Sequence, residues 1–309
     1  MVDHSIHFII TGANGLVGSS LLKELISAYP QNTIKAFVRR LPAKPLAGVD
    51  YVMGDLTQSI PADLFSQNSF LFHFAHQHKA RDLETLRKTN VHGLKNILTA
   101  GQNRIKKIFL GSSMSVYGQG PFLNVSEEAQ TAPQTNLAHT RREAEELVVN
   151  FATNAQIPYH IFRPRFLFDP RETETLPKIY QQFQKGVLLG NGEQRYSYIL
   201  VEDYVRLILL GLNLEKSMVL NVAYPQSISL KEIYSLFGNF HHRRSIPVKL
   251  FIAVTKLVGP KSLATKLQLI GQNQTMDTEK LISLYPEFKA IDSIGKLKPL
   301  AQSLSRGHP

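Results

Sequence analysis

The chain contains no cysteine, which excludes a disulfide framework, a thiolate metal site and a cysteine nucleophile. No apolar run approaches the ~18 residues that a membrane-spanning helix needs. The stretch "VRLILLGLNL" (205–214) is too short and reads as a buried helix. The opening "MVDHSIHFIITGANG" lacks a cationic region, a long apolar stretch and a small-residue cleavage site, so no secretory signal is expected there. Acidic residues are in short supply: 35 Lys/Arg oppose 24 Asp/Glu, a formal net charge of +11. The excess lies mainly after residue 160, with 20 basic residues against 12 acidic ones, compared with 15 against 12 before it. An anionic substrate or a polyanionic surface is one reading of that bias. The other is a solvated basic face, because the charges are scattered and no nucleic-acid motif or basic-aromatic interleaving accompanies them.

The length of 309 residues suits one large domain or a domain with an appended lobe. Over the first 165 residues strand and helix alternate. "IHFII" (6–10), "IKAFV" (34–38), "FLFHFA" (70–75), "KKIFLGS" (106–112) and "YHIFRP" (159–164) are short β-rich runs, with "YVMGD" (51–55) a shorter candidate. The segments "GLVGSSLLKELISAY" and "DLETLRKTNVHGLKNILTAGQ" between them have helical periodicity. Such alternation predicts an α/β fold, a Rossmann-type doubly wound parallel sheet covered on both faces, with a smaller C-terminal substrate-binding lobe. The expected division is a dinucleotide-binding domain over 1–165 and a lobe over 166–309. Within the latter, 199–224 returns to the first domain through "MVLNVAY" (218–224). The basic amphipathic stretch "KLFIAVTKLVGPKSLATKLQLI" (249–270) reads as lobe-packing helices, with a pocket cap or a membrane-surface contact as alternatives.

The strongest local signal is "ITGANGLVGSSLLKEL", in which Gly12, Gly15 and Gly18 follow a β-rich run and open an amphipathic helix. That context makes a dinucleotide turn: Gly12 for the tight bend, Gly15 for approach of the pyrophosphate, Gly18 for close helix–strand packing. Ala13, Asn14, Leu16 and Val17 complete the cofactor-binding loop, whose free N–H groups and helix dipole favour an anion. The second strand ends "AFVRR", placing Arg39 and Arg40 about 20 residues past the glycines, where arginine suits a 2′-phosphate and an acid would suit a free hydroxyl. The expected cofactor is therefore NADP(H), with NAD(H) the alternative.

With "TGANGLVG", "GDLTQ" (54–58), "FLFHFAHQH", "TNVHGLKNIL", "IFLGSSMSVYG" and "RPRFLFDP" occurring in this order, the chain resembles the extended branch of the short-chain dehydrogenase/reductase superfamily, the NAD-dependent epimerase/dehydratase family. The resemblance runs nearly end to end. It implies that Asp55 and Leu56 lie beside the adenine, and that Phe74, Ala75 and His76 pass under the cofactor. It makes Asn90 the family's helix-borne Asn, Ser113 the catalytic Ser/Thr beside Ser112, and Arg163–Pro164 the turn against the nicotinamide. Asp169 stands where a glycine is usual.

The resemblance also exposes a gap. On the helix predicted from "PQTNLAHTRREAEEL", the apolar positions Leu137, Thr140, Ala144, Leu147, Val148 and Phe151 share one face, and Leu137 and Arg141 point the same way. The family pattern puts Tyr and Lys at those two positions. Arginine keeps a cation for the ribose, but leucine cannot exchange a proton. Tyr117 is the best substitute donor by sequence, although a structural tyrosine, usual in this segment, is the preferred reading of it, and His76 is a further candidate. His73, His76 and His78 alternate along a strand-to-loop stretch without a carboxylate, so no metal is expected. Sugar-nucleotide members commonly place Arg at the position of Tyr196, and here the arginine, Arg195, is shifted by one. The expected function is an atypical NAD(P)-dependent oxidoreductase or epimerase-like protein acting on a small carbonyl or alcohol substrate. Ser113 would polarise the carbonyl and Arg141 would orient the cofactor. The alternatives are a nonenzymatic NADP(H)-binding sensor or scaffold and, further off, a polyanion-binding adaptor. A cytoplasmic location, a homodimer as one option, no specific nucleic acid and no transmembrane segment complete the expectation.

Overall fold

The computed structural model describes residues 3–241, 244–247 and 271–305. The stretch 249–270, with its cap and membrane-surface alternatives, lies outside the described residues.

Seven strands form the main sheet: β1 His7–Thr11, β2 Ile34–Val38, β3 Asp50–Met53, β4 Ser69–His73, β5 Ile105–Gly111, β6 Tyr159–Pro164 and β7 Met218–Val222. Their spatial order is β7-β6-β5-β4-β1-β2-β3, and neighbours from β1 to β6 pair in parallel. The chain thus starts in the middle and winds both ways, leaving a switch point between β1 and β4, where ligands bind in open α/β sheets. Parallel strands covered on both faces read as unbroken apolar runs. Phe8, Ile9 and Ile10 of β1, and Leu71 and Phe72 of β4, are accordingly buried. A row of phenylalanines crosses the strands, with Phe72 stacked on Phe109 at 4.6 Å and Phe109 on Phe162 at 6.4 Å.

Helix α1, Leu16–Ala28, buries Gly18, Leu21, Leu22 and Leu25 at helical spacing. Helix α2, Leu83–Arg87, runs through a π-helical turn, Lys88–His92, into α3, Gly93–Ala100. Such single π-helical turns are rare and frequent at functional sites, and this one carries the buried Asn90. Helix α4, Asn136–Ala155, is entered from Thr135, whose Oγ1 accepts the Ala138 N–H at 3.1 Å.

The chain divides into two compact units. The first comprises Met1–Val116, Thr131–Arg163 and Val201–Leu220; the second comprises Tyr117–Gln130, Pro164–Leu200 and Asn221–Pro309. Residues 117–130, assigned above to the first domain, belong to the second unit. Their strand Phe122–Val125 joins a four-stranded sheet beside Gln274–Met276, with Arg195–Tyr196 and Ile228–Ser229 completing it. The same unit pairs Phe166–Phe168 in parallel with Tyr198–Leu200. No helix among the described residues is long and apolar enough to cross a membrane.

Candidate active site

The β1–α1 turn is built on close approach. Gly12 has φ +75°, and a Cβ there would lie 2.5 Å from the carbonyl carbon of Phe74. A Cβ on Gly18 would fall 2.3 Å from the Gly12 oxygen, whereas on Gly15 it would meet only that oxygen, at 3.2 Å. Gly12 is therefore packed tightly against the backbone that follows β4, Gly18 holds α1 tightly against the turn itself, and Gly15 is open. Gly15 is also the N-cap of α1 and brings no capping side chain, so the start of the helix presents its backbone and dipole to an anion. The Asn14 amide donates to the Arg40 carbonyl at 2.9 Å, fastening the turn to the end of β2. Arg39 and Arg40 are exposed. The carboxylate of Asp55 accepts the Thr57 N–H and hydroxyl at 2.8 and 2.9 Å. That backbone hydrogen bond holds its pKa below the usual carboxylate value, helped by the hydroxyl and by the charge of Arg39. Leu56 is 7% exposed, packs against Gly93 of α3 and joins the core cluster.

At the end of β4, Phe74 turns its ring against Gly111 and meets Tyr204 edge-on at 6.3 Å, and Ala75 follows it in the loop. Asn90 is spent on holding this loop. Its Oδ1 accepts the Gln77 N–H at 2.7 Å, and its Nδ2 donates to the Gln77 carbonyl and to Thr140. It is a positioning residue rather than the cofactor contact expected. His73 shares a 2.9 Å hydrogen bond with Thr11, and burial pushes its pKa down to about 4. Burial also drives His76 well below 6.5, with the nearby Arg141 charge adding to the effect. The charged form of His76 is thus disfavoured by its surroundings, which counts against it as the replacement donor. Among the described residues no three His, Asp or Glu come together as a metal site.

Glu145, absent from the sequence-based candidates, organises the α4 side. It is 1% exposed and accepts Arg163 on both oxygens, at 2.9 and 2.7 Å, and the Ser112 hydroxyl at 2.5 Å. Arg163 and Ser112 therefore point their side chains at Glu145, not at a cofactor, and Pro164 ends β6 beside them. This triangle pins α4 against the ends of β5 and β6. One turn earlier on the same stripe is Arg141, and one turn before that Leu137, which is half-buried. The Nε of Arg141 is sealed from water and unpartnered among the described residues. Burial lowers this guanidinium to about 10, against the pull of Tyr204 and Glu145, so it stays cationic at neutral pH. The buried hydroxyl of Tyr204 is likewise unpartnered among the described residues. The one signal in the sequence for Glu145 was its place four residues after Arg141, an acid on an otherwise apolar face.

Ser113 is partly exposed, and its Oγ accepts the Ser115 N–H at 3.2 Å. Tyr117 has the surroundings of the structural tyrosine that the sequence favoured over a proton donor. It is 4% exposed, and its phenol donates to Asn221 Oδ1 at 2.8 Å. Asn221 is held in turn by Glu127, Val125 and Asp277. A phenol sealed in such a network anchors the second unit and is not a substitute proton donor. Arg195, the shifted arginine, is bound to Ser227 and Glu232, and Asp169 holds Arg171.

Comparisons with known proteins agree with this architecture. The family model described as the NAD dependent epimerase/dehydratase family matches residues 8–223, and the chain belongs to that family. A UDP-glucose 4-epimerase of Vibrio cholerae is 24% identical over 214 residues. The match covers 65% of this chain and 65% of that protein, so the chain spans about two thirds of its length. A UDP-N-acetyl-alpha-D-glucosaminuronate decarboxylase of Bacillus cytotoxicus is 23% identical over 270 residues, covering 77% of this chain and 81% of its own. Among solved structures, UDP-glucuronic acid 4-epimerase from Bacillus cereus, in complex with NAD, superposes with a TM-score of 0.75 at 17% identity over 97% of this chain and 99% of its own. At that identity the likeness speaks for the fold.

Proposed function

We propose that the chain binds a nicotinamide dinucleotide, NADP(H) in preference to NAD(H), and acts as an atypical oxidoreductase or epimerase-like protein on a small carbonyl or alcohol substrate. The observation that carries this reading is the Arg141 guanidinium: buried, cationic, its Nε unpartnered, on the stripe of α4 that Glu145 fixes beside Ser112 and Ser113. The glycine turn fits the pyrophosphate, since Gly15 leaves the backbone open and α1 has no side-chain cap. Arg39 and Arg40 fit a 2′-phosphate. When bound, the nicotinamide supplies or accepts a hydride. Arg141 would hold the ribose, and the Ser113 hydroxyl would donate to the substrate oxygen. Leu137 has no proton to give, Tyr117 is sealed away and burial disfavours a charged His76. The proton therefore passes through Ser113, water or the substrate itself. Losing a positioned acid/base costs ~10²–10⁴ in rate.

The sealing of Tyr117 favours a second reading, a nonenzymatic dinucleotide-binding protein. One double variant separates the two. Leu137→Tyr with Arg141→Lys places a phenol one turn before an ammonium that tunes it. On a panel of simple carbonyls with NADPH, turnover should rise by about 10² over wild type. A folded, NADPH-binding double variant with no gain on any substrate makes the nonenzymatic reading the better one.

A further inference from the structure

Arg165 takes no part in the machinery above. It sits between Pro164 and the strand Phe166–Phe168, within the second unit. Its guanidinium carbon lies 4.2 Å from the centroid of the Phe166 ring, and that ring meets Tyr196 edge-on at 5.5 Å. A guanidinium held over an aromatic face keeps its flat fork of donors in a fixed direction. Nε is cut off from water, and among the described residues it has no hydrogen-bond partner and no carboxylate pairs with the group. The residues outside that description contain no Asp or Glu, so no acidic side chain remains to neutralise it.

The neighbouring cations of this unit show the contrast. Arg171 is bound to Asp169, Arg195 to Glu232 and Lys231 to Glu193. Burial lowers Arg165 to about 10, partly offset by Tyr196, which leaves it charged at neutral pH. A desolvated cation without a counter-ion is destabilising by itself. It is explained where a ligand brings the missing negative charge. The side chain remains partly exposed, so its terminal nitrogens can meet such a ligand.

We propose that Arg165, framed by Phe166 and Tyr196, binds an oxyanion, a phosphate or carboxylate group carried by the small-molecule substrate. This deepens the function proposed above and rests on it for the existence of that substrate. The planar fork of Arg165 would take two oxygens of one group side by side, which a lysine would not reproduce.

The test uses the full-length protein with ¹⁵N-labelled arginine, titrated at constant ionic strength with inorganic phosphate and, separately, with acetate. The Nε–H signal of Arg165, assigned by its loss in Arg165→Lys, should shift saturably with at least one of them, and the better probe identifies the oxyanion. Arg165→Gln should weaken that binding by at least about tenfold, while NADPH affinity changes by less than about twofold. A wild-type signal unmoved by both anions, or binding unaffected by Arg165→Gln, overturns the proposal. Should Arg165→Gln fail to fold, the wild-type titration decides alone. A wild-type protein that binds phosphate through Arg165 but no dinucleotide would bring down the function proposed above and leave this site standing.

Discussion

A carboxylate as deeply buried as Glu145 persists only when its charge is matched, and here Arg163 covers both oxygens while Ser112 takes one. Desolvating such a pair is expensive, so the triangle is weak as a source of net stability but severe to break. Glu145→Ala strands the Arg163 guanidinium, which is 5% exposed. Unfolding in urea should then show a loss of ~3–5 kcal/mol. Replacing the pair together, Glu145→Leu with Arg163→Met, should recover most of that loss. A loss under about 1 kcal/mol for Glu145→Ala, within the range of an exposed pair, would mean that the triangle does not fix α4. The same residues show where sequence reading stops. Arg163, Asn90 and Leu56 stand at motif positions, yet their side chains serve Glu145, the Gln77 loop and the core. Motif position places a backbone, while the partner of a polar side chain comes from elements 18 to 50 residues away, as with Glu145–Arg163 and Asn90–Thr140.

Among elements, the β1–α1 turn has the least room for change. Gly18 lies so near the Gly12 carbonyl, at 2.3 Å from a would-be Cβ, that Gly18→Ala must push α1 away from the turn. We expect a stability loss of ~1–3 kcal/mol from overpacking and a fall in NADPH affinity of at least about tenfold, because the N–H groups of the turn move with the helix. Thermal melts and a fluorescence titration measure the two. An Ala variant that melts and binds like wild type would show that the close approach is not needed. The strands of the main sheet were legible because parallel strands buried on both faces are continuous apolar runs, as in β1 and β4. The strand Phe122–Val125 was not. It is only partly buried, with Leu123 75% exposed, and it pairs with Gln274–Met276, about 150 residues on. Nothing local announces such a pairing. The same long-range pairing carries Tyr117 and Gly118–Gln130 into the second unit.

At the scale of the whole molecule, the chain is a member of the epimerase/dehydratase family with a glycine turn opening α1, and its α4 carries Leu137 and Arg141 one turn apart. The fold hosts many reactions and does not choose among them. Both proposed readings, enzymatic and nonenzymatic, need the dinucleotide, and the proposed preference for NADP(H) rests on the Arg39–Arg40 pair that follows β2. The most direct measurement is calorimetric titration of the wild-type protein with NADPH and with NADH, repeated with Arg39→Asp. NADPH should bind at least several-fold tighter, and Arg39→Asp should narrow or reverse the difference, since guanidinium groups reward the 2′-phosphate. Equal affinities would contradict the assigned preference, and binding of neither dinucleotide would contradict the account as a whole.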